Sequence, residues 1–344
     1  MLTGCYTALV TPFDDNGVDT GGLDALIEFQ IAGGVDGILA VGTTGESPTL
    51  TWEEHNLVVR RVCERAGSRC RVIAGEGSNN TRETLEGTRS AAKAGAHAVL
   101  LVDPYYNGPS SLEIRREYVE PVAAEFPDME VIPYIIPGRT GAQMFPEDLA
   151  LAAERHGNVN TVKEATGDLD NMRRTRELCG PDFSILSGDD DKTMAMAKDG
   201  TIKGNGVISV LSNIAPAAVS QMVRHALAGR MDEAAELEAA LKPLFGLVTV
   251  KTVEDTKFGK VVCRARNPLA VKTLMALLGM PGGRCRRPLG KMTGQGMDVV
   301  LTAARRVWDN NPEILRPLEE QFGIDVRERL YDEKAISALC YEGY

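Results

Sequence analysis

Eight short apolar, β-branched runs punctuate the first two thirds of this chain: "CYTALV", "DGILAVG", "RVIAG", "AVLLVD", "EVIPYII", "NTVKEA", "FSILSG" and "NGVISV". Each is near-continuously apolar, as expected of a strand covered on both faces, and helix-like segments separate them. "GGLDALIEFQIAGG" and "TRETLEGTRSAAKAGA" place apolar residues at helical spacing and end in glycine, as helix stops do. Eight β-α units of this kind predict a (β/α)8 TIM barrel. The alternative, a doubly wound sheet, usually carries GxGxxG after its first strand; the nearest match, "GEGSNN" at 75–80, lacks the third glycine and follows the third strand. From about residue 213 the strands are expected to stop, and "APAAVSQMVRHALAG", "MDEAAELEAALKPLFGLV", "PLAVKTLMALLGM" and "GMDVVLTAARRVW" read as helices. The expected organisation is a barrel core over 1–212, a C-terminal helical region over 213–309, and a charge-rich extension of short surface helices over 310–344.

The 344 residues suffice for one barrel and an appendage, and 43% hydrophobic with 25% charged residues is ordinary for a globular chain with a large core. A net charge of −10 argues against nucleic-acid binding and requires any anionic substrate to meet a local cation. Seven scattered cysteines without a CxxC pair read as reduced thiols in a cytoplasmic protein, and four scattered histidines supply no HExxH-type metal site. No apolar run approaches the ~18 residues that span a bilayer, so no membrane partner is expected. "LTGC" at 2–5 has no basic and apolar segment before it and reads as a strand start, not a lipoprotein signal.

In such barrels chemistry sits at the C-terminal strand ends. Strand six holds Lys163 within "TVKEATGD", where lost hydration would favour a neutral, nucleophilic amine. The ordinary alternative is an ion pair with Glu164 or another rim carboxylate. Strand two ends in "GTTGES", whose small residues and Thr43 and Thr44 hydroxyls can cradle an anion or simply form a capped turn. Strand four ends in "DPYYNGPS" with Tyr105 and Tyr106, strand five in "YIIPGRTG" with Tyr134 and Arg139, and strand seven in "SGDDD". A neutral lysine, a tyrosine hydroxyl, paired threonines and an arginine around one mouth form a Schiff-base constellation for a keto acid.

The ordered set "TALVTPF", "GTTGESPTL", "DPYYN", "PGRTG", "KEATGD", "SGDD" and "GVISV" resembles the pyruvate-dependent class I aldolases of the dihydrodipicolinate synthase and N-acetylneuraminate lyase family, over roughly residues 1 to 309. "GTTGE" with "GRTG" and "KEATG" looks like the synthase branch. The resemblance implies a lyase that condenses pyruvate with L-aspartate 4-semialdehyde to 4-hydroxy-tetrahydrodipicolinate, in diaminopimelate and lysine biosynthesis, with no cofactor. The rivals are an aldolase for another aldehyde, of the N-acetylneuraminate or 2-keto-3-deoxy sugar acid type, and a non-catalytic binding barrel. It further implies that Lys163 forms the Schiff base and that Tyr134, Thr43 and Tyr106 relay the proton, Tyr106 from a neighbouring subunit of a tetramer. Thr44 would hold the pyruvate carboxylate and Arg139 that of the semialdehyde, with Gly188 and Ile208 lining the pocket. Ser47, His55, Asn79, Glu83 and Tyr105 match a site for the feedback effector L-lysine. The chain departs from the family pattern at Pro133 and Ile135, which flank Tyr134 and are expected to alter that strand end, and in the loop "KDGTIKGNG", expected to add Lys203 near the mouth.

Overall fold

The computed structural model describes residues 1–344. Each of the eight expected runs forms a strand: Gly4–Ala8 (β1), Gly37–Ala40 (β2), Arg71–Gly75 (β3), Ala98–Val102 (β4), Glu130–Ile135 (β5), Thr161–Glu164 (β6), Ser184–Ser187 (β7) and Gly206–Ser209 (β8). Each pairs in parallel with its sequence neighbours, and β8 returns to β1 from Gly4↔Gly206 to Thr7↔Ser209, closing the barrel. Closure leaves no edge, and both strand faces are covered, which is why the runs are apolar throughout. Tyr6, Leu39, Ile73, Leu100, Ile132, Leu186 and Ile208 fill the interior. Gly37 makes room there, since a Cβ at that position would come within 2.5 Å of the Tyr6 ring.

A second, larger core joins the outer strand faces to the surrounding helices. Helix α1 (Thr20–Ala32) starts from the Asp19 cap, and α2 (Trp52–Ala66) from a capping box in which Thr51 and Glu54 bond each other's backbone N–H. Helix α3 (Thr81–Ala94) buries Thr84, Gly87, Thr88 and Ala91, the i, i+3, i+4, i+7 stripe visible in the sequence. The helical segment 111–125 (α4), then α5 (Pro146–Arg155), α6 (Leu169–Cys179), α7 (Thr193–Lys198) and α8 (Pro216–Leu227), complete the ring.

Beyond the barrel lie α9 (Met231–Phe245), α10 (Leu269–Leu277) and α11 (Gly294–Asn310), as the helical patterns predict. The expectation that strands end near residue 213 is overturned by an antiparallel hairpin, β9 (Thr249–Thr256) with β10 (Gly259–Arg266), joined through Lys257 and Phe258. Its sequence, "TVKTVEDTKFGKVVCRAR", is rich in β-branched residues and turns at a glycine with φ +119°, both strand-hairpin signals. Val250 anchors it in the core, and Thr293 and Thr252 donate to Glu254 at 2.7 Å, while Phe258 at the tip is exposed.

After Asn310 the chain forms short helices, and Ile314, Leu315, Leu318, Val326 and Leu330 are buried in the main core, with Phe322 packed edge-on to Phe29 of α1 at 5.3 Å. No helix is long and apolar enough to cross a membrane. The strand end around Tyr134 is not interrupted: Leu101↔Pro133, Val102↔Tyr134 and Tyr134↔Lys163 stay in register, because one missing donor leaves the neighbouring ladder bonds intact. Lys203 does not join the mouth. It precedes β8, and a loop entering a parallel barrel strand lies at the face opposite the strands' C-terminal ends.

One buried ion pair ties these layers together. Lys272 of α10 and Glu46, each 1% exposed at the side chain, meet at 2.6 Å; Lys272 Nζ also donates to the Thr11 carbonyl at 2.9 Å, and Glu46 accepts the Arg286 N–H at 2.8 Å. Replacing one partner strands the other charge in the interior, a loss of about 3–5 kcal/mol. Lys272→Met is therefore expected to lower the urea midpoint by an amount equivalent to several kcal/mol; an unchanged midpoint would remove the pair from the list of fold determinants.

Candidate active site

The β5–β6–β7 register sets Lys163 between Tyr134 and Leu186. The residue is 5% exposed, and Nζ lies 4.1 Å from the Tyr134 ring centroid. The ion-pair alternative fails on geometry. Glu164, the next residue on the strand, points to the other face, where it accepts the Thr166 N–H at 2.7 Å and Asn171 Nδ2 at 2.8 Å. Burial lowers the Lys163 ammonium to about 8, against the opposing pull of Asp189 and Asp190 and with a smaller push from Arg139. At pH 7 about one molecule in ten then carries the neutral amine, against fewer than one in a thousand for an ordinary lysine.

Around this amine the strand ends supply hydrogen-bonding groups. Tyr134 is buried, and burial raises its phenol, with Arg139 and Thr43 partly offsetting it. It is thus held protonated, able to pass a proton but not to act as a free phenolate. Thr43 and Thr44 follow β2 on a loop bracketed by two left-handed residues, Val41 (φ 51°) and Glu46 (φ 57°). A β-branched residue there is strained, and the strain is held by the Glu46 ion pair and by the Thr11 hydroxyl donating to the Gly45 carbonyl at 2.7 Å. Thr44 accepts from Asn267 Nδ2 at 2.9 Å. Arg139, on the one-turn helix Pro137–Thr140, donates to the Asn267 carbonyl at 3.3 Å and meets no carboxylate. Gly188 must be glycine, since a Cβ would stand 2.7 Å from Ala165 Cβ and 3.2 Å from Lys163 Cε.

Lys163, Tyr134, Thr43, Thr44, Arg139 and Gly188 line one cavity of about 190 Å³. A second, of about 210 Å³, shares Thr43, Tyr134 and Arg139 and runs out to Ser47 and Tyr105. Ile208 lies in the barrel interior and lines neither cavity, and Tyr106, 95% exposed with φ 82°, is turned away from both. Of the remaining residues singled out for an effector, Asn79 accepts the Tyr105 N–H at 2.7 Å and Glu83 accepts the Ser78 hydroxyl at 2.5 Å. His55 is buried under Trp52, its Nε2 3.1 Å from the Gly75 carbonyl. No three His, Cys, Asp or Glu side chains converge where a metal ion could sit.

Sequence reasoning does not single out Asp189, Arg266 or Asn267, which also line the Lys163 cavity. The carboxylate run after β7 is a signal for the first. The other two depend on the hairpin, which brings "RNP" back to the mouth.

A desolvated lysine against a tyrosine ring at the C-terminal mouth of a (β/α)8 barrel fits a Schiff-base-forming lyase of the class I aldolase type. The sequence matches the profile of the Dihydrodipicolinate synthetase family over residues 1–305, and the chain belongs to that family. It is 40% identical over 291 residues to the 4-hydroxy-tetrahydrodipicolinate synthase of Methanococcus maripaludis, covering 85% of this chain and 93% of that protein. The fold is similar to the 4-hydroxy-tetrahydrodipicolinate synthase of Methylacidiphilum fumariolicum SolV, with a TM-score of 0.82, 36% identity, and 93% and 99% of the two chains covered. A dihydrodipicolinate synthase from Cyanidioschyzon merolae with lysine bound matches with a TM-score of 0.80 at 35% identity, over 89% of this chain and 98% of that one.

The lowered Lys163 ammonium has a direct kinetic consequence. Only the neutral amine attacks a ketone, so borohydride trapping of pyruvate should accelerate as pH rises and level off above an apparent pKa near 8. A rate still climbing in proportion to hydroxide at pH 10 would show an ordinary, hydrated lysine.

Proposed function

We propose that this chain condenses pyruvate with L-aspartate 4-semialdehyde to form 4-hydroxy-tetrahydrodipicolinate, a step toward diaminopimelate and lysine. The observation that carries the reading is a buried Lys163 amine without an ion-pair partner, sharing one cavity with Tyr134, the Thr43–Thr44 loop and an unpaired Arg139. Lys163 Nζ adds to the pyruvate ketone and water leaves, giving an iminium. The iminium draws electrons from the adjacent methyl, whose proton departs through the Tyr134 and Thr43 hydroxyls, leaving an enamine. The enamine carbon attacks the aldehyde, whose oxygen takes up a proton. The semialdehyde's own amine then adds to the iminium carbon and expels Lys163 as the ring closes. Thr44 holds the pyruvate carboxylate, and Arg139 receives the carboxylate of the second substrate.

Tyr106 completes the relay from a second copy of the chain in a homo-oligomer, of which a tetramer is the expected form. Its near-complete exposure in a left-handed conformation, away from its own cavity, supports this role. L-lysine acts as an effector at Ser47, His55, Asn79, Glu83 and Tyr105, a reading supported by the relative with lysine bound. The seven free thiols suit the reducing cytoplasm.

The test is pyruvate consumption with aspartate semialdehyde and with N-acetylmannosamine. Loss of pyruvate with the semialdehyde, abolished in Lys163→Ala, is expected. Activity with the sugar aldehyde alone would overturn the assignment. Tyr106→Phe should lower turnover about 100-fold, the usual worth of one proton-transfer group, and millimolar L-lysine should inhibit the native enzyme. Full activity of Tyr106→Phe, or insensitivity to lysine, would remove the corresponding role.

A further inference from the structure

Arg266 is the last residue of β10 and pairs with Thr249 across the hairpin; the next residue, Asn267, donates its N–H to the Val248 carbonyl at 2.8 Å. The side chain therefore leaves a fixed strand end, with Val250 anchored in the core beside it. Its Nη1 donates to the Gly138 carbonyl at 3.2 Å, the residue before Arg139, while Arg139 Nη2 donates to the Asn267 carbonyl at 3.3 Å, the residue after Arg266. The two guanidinium groups are thus cross-tied to each other's backbone, and neither has a carboxylate partner.

Both arginines line the Lys163 cavity, whose only acidic lining residue is Asp189. A chain with net charge −10 has gathered three cationic side chains at one partly dehydrated spot. Like charges held this close repel, and backbone carbonyls only partly offset that; an incoming anion would relieve it. The surplus of positive charge fits two carboxylates in the cavity at once, one on each substrate. With the pyruvate carboxylate at the threonine loop, the arginines are left for the other.

We propose that Arg266, presented by the hairpin, joins Arg139 in a two-guanidinium clamp on the carboxylate of the aldehyde substrate and thereby sets the specificity of this site for carboxylated aldehydes. The inference rests on the condensation reading above. It gives the hairpin a purpose: the strand end delivers a second cation from outside the barrel to the mouth.

Steady-state kinetics of the full chain with Arg266→Gln and Arg266→Lys test the clamp, with melting temperature as a check on folding. One charged hydrogen bond lost should raise the KM for aspartate semialdehyde roughly 10- to 100-fold. The KM for pyruvate and borohydride trapping at Lys163 should change less than about twofold, and Arg266→Lys should recover part of the loss. An aldehyde KM within about twofold of the unsubstituted enzyme, or equal rises in both KM values, would overturn the clamp while leaving the condensation intact. If the unsubstituted enzyme traps pyruvate yet condenses it with no carboxylated aldehyde, the functional reading fails and the clamp falls with it.

Discussion

The buried Glu46–Lys272 pair is the joint on which the site's geometry depends. Glu46 ends the Thr43–Thr44 loop in a left-handed conformation, and Lys272 lies on a helix more than two hundred residues further on. In the low-dielectric interior neither charge could stay unpaired, so loop and helix must meet in one arrangement. Around the pair, Lys272 also donates to the Thr11 carbonyl after β1, and the Arg286 N–H reaches Glu46 from the segment after α10. Four distant parts of the chain converge on a few polar atoms, and the threonine loop inherits its shape from them.

The site turns on a second electrostatic constraint of opposite character. Where Lys272 is fully partnered, Lys163 is equally buried but meets only a tyrosine ring and more distant carboxylates. Lys272 is tied into an ion pair and two carbonyl contacts, whereas burial pushes Lys163 toward neutrality, so one side chain serves the scaffold and the other is available for chemistry. The distinction lies wholly in the surroundings.

The hairpin and the tail show two ways of building onto a barrel. The tail is absorbed into the core through Leu318, Val326 and Leu330 and the Phe29–Phe322 contact, so it extends the apolar shell around α1 and α11. The hairpin instead keeps one end in the core and projects the other into solvent. Its inner end controls what stands beside Arg139.

Much of the architecture is legible in the chain because parallel barrel strands are buried on both faces and leave continuous apolar runs; all eight are visible, as is the helical periodicity of α3 and α8 to α11. Lys163 stands out for the same reason, as a charge placed in such a run. The hairpin at 249–266 carries strand signals in its β-branched residues and its alternation of Val and Thr with charged residues, but it sits among helical segments and outside the repeating β-α pattern, whose weight hides it. Lys203 shows the converse, since which face a loop serves follows from strand direction in the closed barrel and not from its sequence. The chain by itself determined the eight barrel strands, the fold class, the family and the candidate nucleophile, all properties of local pattern. Only the tertiary structure decided that Lys163 has no counter-ion, that Asn267 braces Thr44, and that Arg266 meets Arg139, because these depend on residues up to 223 positions apart brought within hydrogen-bonding distance by packing.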